Sequence, residues 1–127
     1  MRTSLWISLS LLVLTIAAGL YSAGEIRLVS DRYVSAAEEL QSMAEHHEWE
    51  RAAQTADAYV MQWEKSMPIL QMLINHDDTD DVTLALRQLQ AAIRVRDEAG
   101  CSAACALLRE NARHLYHRDA FTLANVL

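Results

Sequence analysis

A few groups of side chains in this sequence have the types and spacing from which chemistry is built. His47-Glu48-Trp49-Glu50-Arg51 starts like the H-E-x-x-H zinc helix, in which two histidines hold the metal and the glutamate activates water. The second ligand position holds Arg51, a permanent cation, so a zinc site there loses a donor and gains repulsion. Asp77-Asp78-Thr79-Asp80-Asp81 offers carboxylates to a hard cation such as Ca²⁺. An EF-hand loop counted from Asp77 would need glycine at Val82 and glutamate at Gln88, and both fail. Carboxylates before an apolar-periodic segment also cap free N–H groups and complement the helix dipole, which is the better reading here.

Cys101 and Cys105 lie one helical turn apart, which leaves their Cβ atoms about 5–6 Å apart, too far for a relaxed disulfide. Both fall on an apolar stripe and read as buried small hydrophobes; a metal or redox pair is the functional alternative. His114 and His117 are neighbours on a helix face and suit a helix end, where cations favour the dipole. His76 follows an apolar segment ending at Ile74 and is a candidate for anchoring a loop or meeting a partner. The sequence has no Gly-rich phosphate loop, nucleophile elbow or Cys-x-x-Cys pair. It therefore assigns no catalytic residue, no cofactor and no metal ligand, and the expectation is a non-enzymatic protein.

The elements that position these groups are helices. Proline is rare and helix formers dominate, so the fold class expected is all-α. Ile26, Val29, Tyr33, Ala37, Leu40 and Ala44 recur at helical spacing, and His46-His47 reads as a turn. The next helix has the cleanest stripe: Trp49, Ala52, Ala53, Ala56, Val60, Trp63 and Met67 share one face. Its alanines admit a close neighbour and its tryptophans bracket the gap. That face either closes the core or, in an open repeat, forms part of a partner groove, which makes Trp49 and Trp63 candidate contact residues. Pro68 is expected to stop or kink this helix, with a brief continuation over Ile69 to Ile74.

His76 to Asp81 reads as the main loop. A third helix buries Val82, Ala85, Leu86, Leu89 and Ile93; Asp97 to Gly100 breaks it; a fourth carries Cys101, Ala104, Cys105, Leu108, Ala112 and Leu115. A short closing helix is expected from an Asp119 cap through Phe121, Ala124 and Leu127. Segments 36–63 and 88–115 align at an offset of 52, which suggests a duplicated hairpin, although any two amphipathic hairpins align about as well.

Ahead of this body, Thr3 to Gly24 contains no charged residue. Twenty residues of helix rise about 30 Å, the thickness of a bilayer's hydrocarbon core. The run exceeds the apolar core of a signal peptide, and its possible cleavage sites, Ala17-Ala18-Gly19 and Ser22-Ala23-Gly24, are not the preferred A-x-A, so residues 1–24 are read as a transmembrane anchor, with a cleaved signal as the alternative, and 25–127 as a helical soluble domain. Arg27 and Arg32 against Arg2 formally favour an internal body, but a two-residue amino-terminal tail normally stays inside; the expectation is a single-pass cell-membrane protein with an extracytoplasmic body. The formal charge is −6 with Arg2 the only charge before Glu25, so the body is acidic and nucleic acid is excluded as a partner.

Trp49 with Glu50 and Ala52, then Trp63, Ile74-Asn75-His76, Leu86, Leu89, Ile93, Asp97 and the tail Leu123-Ala124-Asn125-Val126-Leu127 resemble the bacterial domain-of-unknown-function family 4363. That resemblance implies an amino-terminal span followed by a helical body in a Gram-positive bacterium, and hints at an integral membrane partner. Asn75 and Thr79 depart from its pattern around the histidine. The functional expectation is a membrane-anchored interaction or accessory module of a membrane complex, whose oligomeric state the sequence leaves open. A small-molecule or metal sensor using His76, Asp77–Asp81 or Cys101/Cys105 is the alternative, as is a secreted helical protein.

Overall fold

The protein is described by a computed structural model covering the backbone of residues 1–126 and the side chains of residues 1–116. Four helices account for the architecture: α1 (Arg2–Glu45), α2 (Trp49–Leu73), α3 (His76–Arg94) and α4 (Glu98–Val126). No strand occurs among the described residues. α1 packs on α2 and α4, and α3 packs on the same two, which closes an up-down-up-down four-helix bundle. The all-α body of amphipathic helices packed as hairpins is thus the observed fold, and it takes the form of a closed bundle. Its first helix is also the extension that precedes it.

α1 runs unbroken from the apolar segment into the core. Its opening stretch has no buried residue: an 18-residue apolar window is 0% buried, and by length and composition the helix is able to cross a membrane. Hydroxyls within that segment turn back on their own helix, Thr15 donating to the Leu11 carbonyl at 2.8 Å and Ser22 to the Ala18 carbonyl at 2.9 Å. From Ile26 onward one face becomes buried, through Ser30, Tyr33, Ala36, Ala37, Leu40, Met43 and Ala44. The end of the bundle from which the apolar segment emerges is called the base, and the opposite end the tip.

Several boundaries differ from the sequence expectation. Pro68 lies inside α2, which continues to Leu73; the proline leaves the Glu64 carbonyl without its donor, but neighbouring turns hold the helix. His76 to Asp81 is not a loop. It is the start of α3, capped by the Asn75 side chain, which accepts from the Asp77 N–H at 3.3 Å. Asp78 and Thr79 are buried there. The break between α3 and α4 falls slightly earlier than Asp97 to Gly100: the turn is Val95 to Asp97, and Gly100 sits in the first turn of α4. Its N–H donates to Asp97 Oδ1 at 3.0 Å, in space that a Cβ at Gly100 would invade. α4 runs without interruption through Asp119, so no separate closing helix begins there; Leu127 and the side chains of Phe121 and Ala124 lie outside the described residues.

The α1–α2 and α3–α4 hairpins repeat one another in geometry. Both turns at the tip use a non-glycine residue in the left-handed region, His47 (φ 58°) and Arg96 (φ 55°). In each, paired backbone bonds close a Schellman motif: His47 to Ala44 and Glu48 to Met43, Arg96 to Ile93 and Asp97 to Ala92. The corners therefore superpose at an offset of 49, not 52. At that register buried positions coincide, Ser30 with Thr79, Leu40 with Leu89, Ala52 with Cys101 and Ala56 with Cys105. Size does not coincide: Trp63 meets Ala112, and Tyr33 meets Val82. Aromatics prop α2 against α1, while alanines and cysteines let α1 and α4 make the most extensive contact in the bundle.

A left-handed backbone costs an L residue about 1–2 kcal/mol, part of which glycine returns as unfolded-state entropy. Replacing either His47 or Arg96 by glycine should therefore stabilise the protein by about 0.5–1 kcal/mol in thermal or urea unfolding. A loss of stability in both variants would show that these side chains hold the turns.

Candidate functional site

Trp63 is one of the most enclosed side chains in the protein, 1% exposed. An indole N–H cannot be buried unpaired without penalty. Here it donates to Thr83 Oγ1 of α3 at 2.7 Å, and that hydroxyl donates to the Thr79 carbonyl at 3.0 Å. Tyr33 of α1 packs edge-on against Trp63 with centroids 5.0 Å apart, and Tyr59 against Tyr33 at 6.1 Å. The Tyr59 hydroxyl donates to Glu39 Oε2 at 2.6 Å. This ladder of rings joins α1, α2 and α3 and ends at the solvent in a phenol–carboxylate bond. Burial pushes the Tyr33 phenol to about 12, with Arg32 opposing. The Glu39 hydrogen bond, then burial, raises Tyr59 to about 12.

The α2–α3 seam continues outward as a polar rim. Gln90 donates to Asp57 Oδ1 at 2.5 Å and accepts from Arg87 at 3.2 Å, and Arg87 also pairs with Glu64. Arg94 stands 3.8 Å from Asp57. The ionic pairs here are about half exposed, so each adds little stability; together they set the register of α2 on α3.

Trp49 and His76 lie at opposite ends, remote from the aromatic ladder. Trp49, at the start of α2, is half-buried at the tip, its ring tilted 45° against His47 with centroids 6.0 Å apart. With Arg51, Gln54 and Arg96 it lines an open surface hollow. His76 opens α3 at the base and its ring is exposed; its backbone carbonyl, not the ring, takes a bond, from Thr79 Oγ1 at 2.9 Å. Trp63, Trp49 and His76 are thus a core residue, a tip residue and a base residue, not one site.

The remaining chemical groups are dispersed. Cys101 and Cys105 are free thiols buried in the core. Burial raises both, Cys105 to about 12, with Cys101 adding to the rise and Arg109 opposing it; this is the reverse of what a reactive thiolate requires. His114 is exposed on α4, and the side chain of His117 lies outside the described residues. Among the described residues no group of three or more His, Cys, Asp or Glu is placed to hold a metal ion. Thr83, the acceptor that completes Trp63, was not singled out by the sequence. The signal was a tryptophan in a core stripe, which demands an acceptor from a facing helix.

These features define a small up-down-up-down helical bundle whose first helix projects beyond the body as an apolar arm. The chain matches the family described as Domain of unknown function (DUF4363) over residues 20–126 and belongs to it. The matched region is the bundle together with the last turn of the apolar arm. No curated protein and no solved structure matches the chain.

The phenols of Tyr33 and Tyr59 ionise at higher pH folded than unfolded. The stability they confer is therefore whole below their ordinary value of 10.0 and is lost as pH rises through about 12. The melting temperature should fall across that window, and less steeply in Tyr59→Phe; a melting temperature flat with pH there would contradict the ring geometry. The thiols give a second check. A thiol reagent should modify the native protein only at its rate of opening and modify the urea-unfolded chain at once. Rapid stoichiometric reaction of the native protein would place a cysteine at the surface.

Proposed function

We propose that this protein is a membrane-tethered, non-enzymatic interaction module, an accessory subunit held by α1 beside an integral membrane complex, with its bundle on the extracytoplasmic side. The observation that carries the reading is the continuity of α1: an apolar segment with no buried face passes without a joint into the helix that forms one wall of the core. A bilayer supplies the apolar solvent that the segment otherwise lacks, and the back-bonded hydroxyls of Thr15 and Ser22 suit it to lipid.

Supporting an interaction role, the bundle's polar and aromatic resources are spent on holding helices together, and its concavities are open surface grooves. The tip, with half-buried Trp49 and exposed Val95 beside Arg51 and Arg96, is the surface proposed to meet a protein partner. Tryptophan and arginine are the residues most enriched at the centres of interfaces.

Two measurements test this. Alkaline carbonate washing of native membranes should leave the intact chain in the pellet, with mass spectrometry finding residues 1–24 still attached; release, or a shortened product, overturns the anchor. Crosslinking in the same membranes should capture an integral membrane protein, and Trp49→Ala should weaken that capture roughly tenfold or more, as for a central interface aromatic. Capture unchanged by Trp49→Ala removes the tip from the interface.

A further inference from the structure

The base of the bundle carries an apolar surface that the core does not use. Met72 is 84% exposed, Ile69 66%, Leu28 61% and Leu73 42%. Three of these come from the last turns of α2, beyond Pro68, and Leu28 from the facing stretch of α1. Ile69, Leu73 and Leu28 border one groove with Tyr21, Ser22, Glu25 and Val29, in which the end of α2 lies beside residues 21–29 of α1; Met72 stands outside the groove in the same last turn of α2. The end of α2 is therefore level with the last turn of the charge-free run. Exposed Leu20 and Tyr21 carry the apolar surface of the arm directly into this patch.

The same groove holds Arg32 and Lys65. Neither forms an ion pair among the described residues, although the chain carries a net charge of −6. Glu25 is the acid among the lining residues, so the rim is net positive. Side chains on a helix lean toward its amino terminus, which is the arm on α1 and the tip on α2, so Arg32 rather than Lys65 leans toward the apolar edge.

We propose that the base of the bundle is itself a lipid-contacting surface: Ile69, Met72, Leu73 and Leu28 enter the interfacial layer of the bilayer that holds α1, while Arg32 and Lys65 take the phosphates of its headgroups. The inference rests on the anchored reading and deepens it. If the hydrocarbon ends near Gly24, the end of α2 cannot avoid the interfacial zone, which extends about 5–8 Å beyond the hydrocarbon on each side. Apolar helix faces settle into that zone to a depth of about 5–10 Å, with cations above them at phosphate level. Tyr21, at the same height, is of the type that collects at this boundary. The contact would hold the bundle upright on its arm, so that α1 is not a free tether.

The test uses the full chain reconstituted in vesicles of phosphatidylethanolamine and phosphatidylglycerol. Single cysteines at Met72→Cys, Leu12→Cys and Glu50→Cys carry an environment-sensitive fluorophore. The parent chain, whose own cysteines are buried, is the labelling blank. Spin-labelled lipids report lipid contact, and iodide on both faces of the membrane reports water. The label at 72 should be quenched by shallow spin-labelled lipid and be roughly threefold or more less accessible to iodide than the label at 50, as expected of a side chain in the interface. The label at 12 should respond to deep spin-labelled lipid alone. Iodide access at 72 equal to that at 50, with 12 still in lipid, overturns the base contact and leaves the anchor standing. Protection at 72 from both quenchers also overturns it, since a protein surface or a second copy then covers the patch. Absence of lipid quenching at 12 removes the anchor and the proposal together.

Discussion

One unbroken helix governs the whole protein. α1 spans Arg2–Glu45, about 66 Å at 1.5 Å per residue, and has to satisfy two different surroundings along its length. Over its first half the cylinder carries apolar residues on every side, with Thr15 and Ser22 bonded back to their own helix; over the second only one face is apolar. No proline interrupts it, and Gly24, at the change of character, has nothing within 4 Å of where a Cβ would stand. A glycine inside a helix weakens it modestly, yet the backbone ladder continues through it. The bundle is thus built on the flank of the arm, and the orientation of one fixes that of the other.

Around that rod the remaining helices solve a packing problem with two kinds of seam. Where α4 lies against α1, the buried residues are mostly small, Ala36, Ala37 and Ala44 on one helix and Cys101, Cys105 and Ala112 on the other, and Ser30 donates to the Ala112 carbonyl at 2.6 Å across the seam. Where α2 lies against α1, Tyr33, Tyr59 and Trp63 stand between them. The two hairpins share corner geometry but not side-chain volume. Exchanging Trp63 with Ala112 would leave a void on one side and an overlap on the other, both of which cost several kcal/mol in a close-packed interior, of the order of 3–5 for losing a buried tryptophan. A bundle with equal seams has several ways to associate; unequal seams leave one.

Much of this was legible in the sequence because helical stripes are a long-range periodic signal. The faces of α1, α2 and α4 are readable from Ile26 to Ala44, Trp49 to Met67 and Cys101 to Leu115, as is the helical continuation of the apolar arm. The first turn of α3 was not. Asp77 to Asp81 looks like a loop by composition, but acidic residues are equally at home in a helix's first turn, and only the Asn75 cap decides between them. Gly100 misleads for a related reason: it is glycine to make room for the Asp97 cap, not to end a helix. The bonds of Trp63 to Thr83 and Tyr59 to Glu39 were hidden because they depend on which helices become neighbours. Periodicity within a helix says which face is buried, not what it is buried against.

The two ends of the bundle are chemically unlike, and their separation follows from helix length. From Ile26 to Glu45, α1 rises about 30 Å at 1.5 Å per residue, which puts the paired Schellman turns that far from the base. The base is apolar with cations that form no ion pair among the described residues; the tip is a cluster of polar side chains around one half-buried indole. If the base sits in lipid headgroups, a partner meeting Trp49 has to project about the same 30 Å from the membrane, so a multi-span protein with only short connecting loops cannot reach it. Such a partner would have to meet the lower half of the bundle instead, through Leu84 on α3 or Leu107 on α4, exposed apolar residues outside the base and the tip. Because α1 is rigid and the bundle is fixed to its flank, the height of the contact distinguishes the two cases: a partner with an extended outer domain meets the tip, and one confined to the membrane meets the sides.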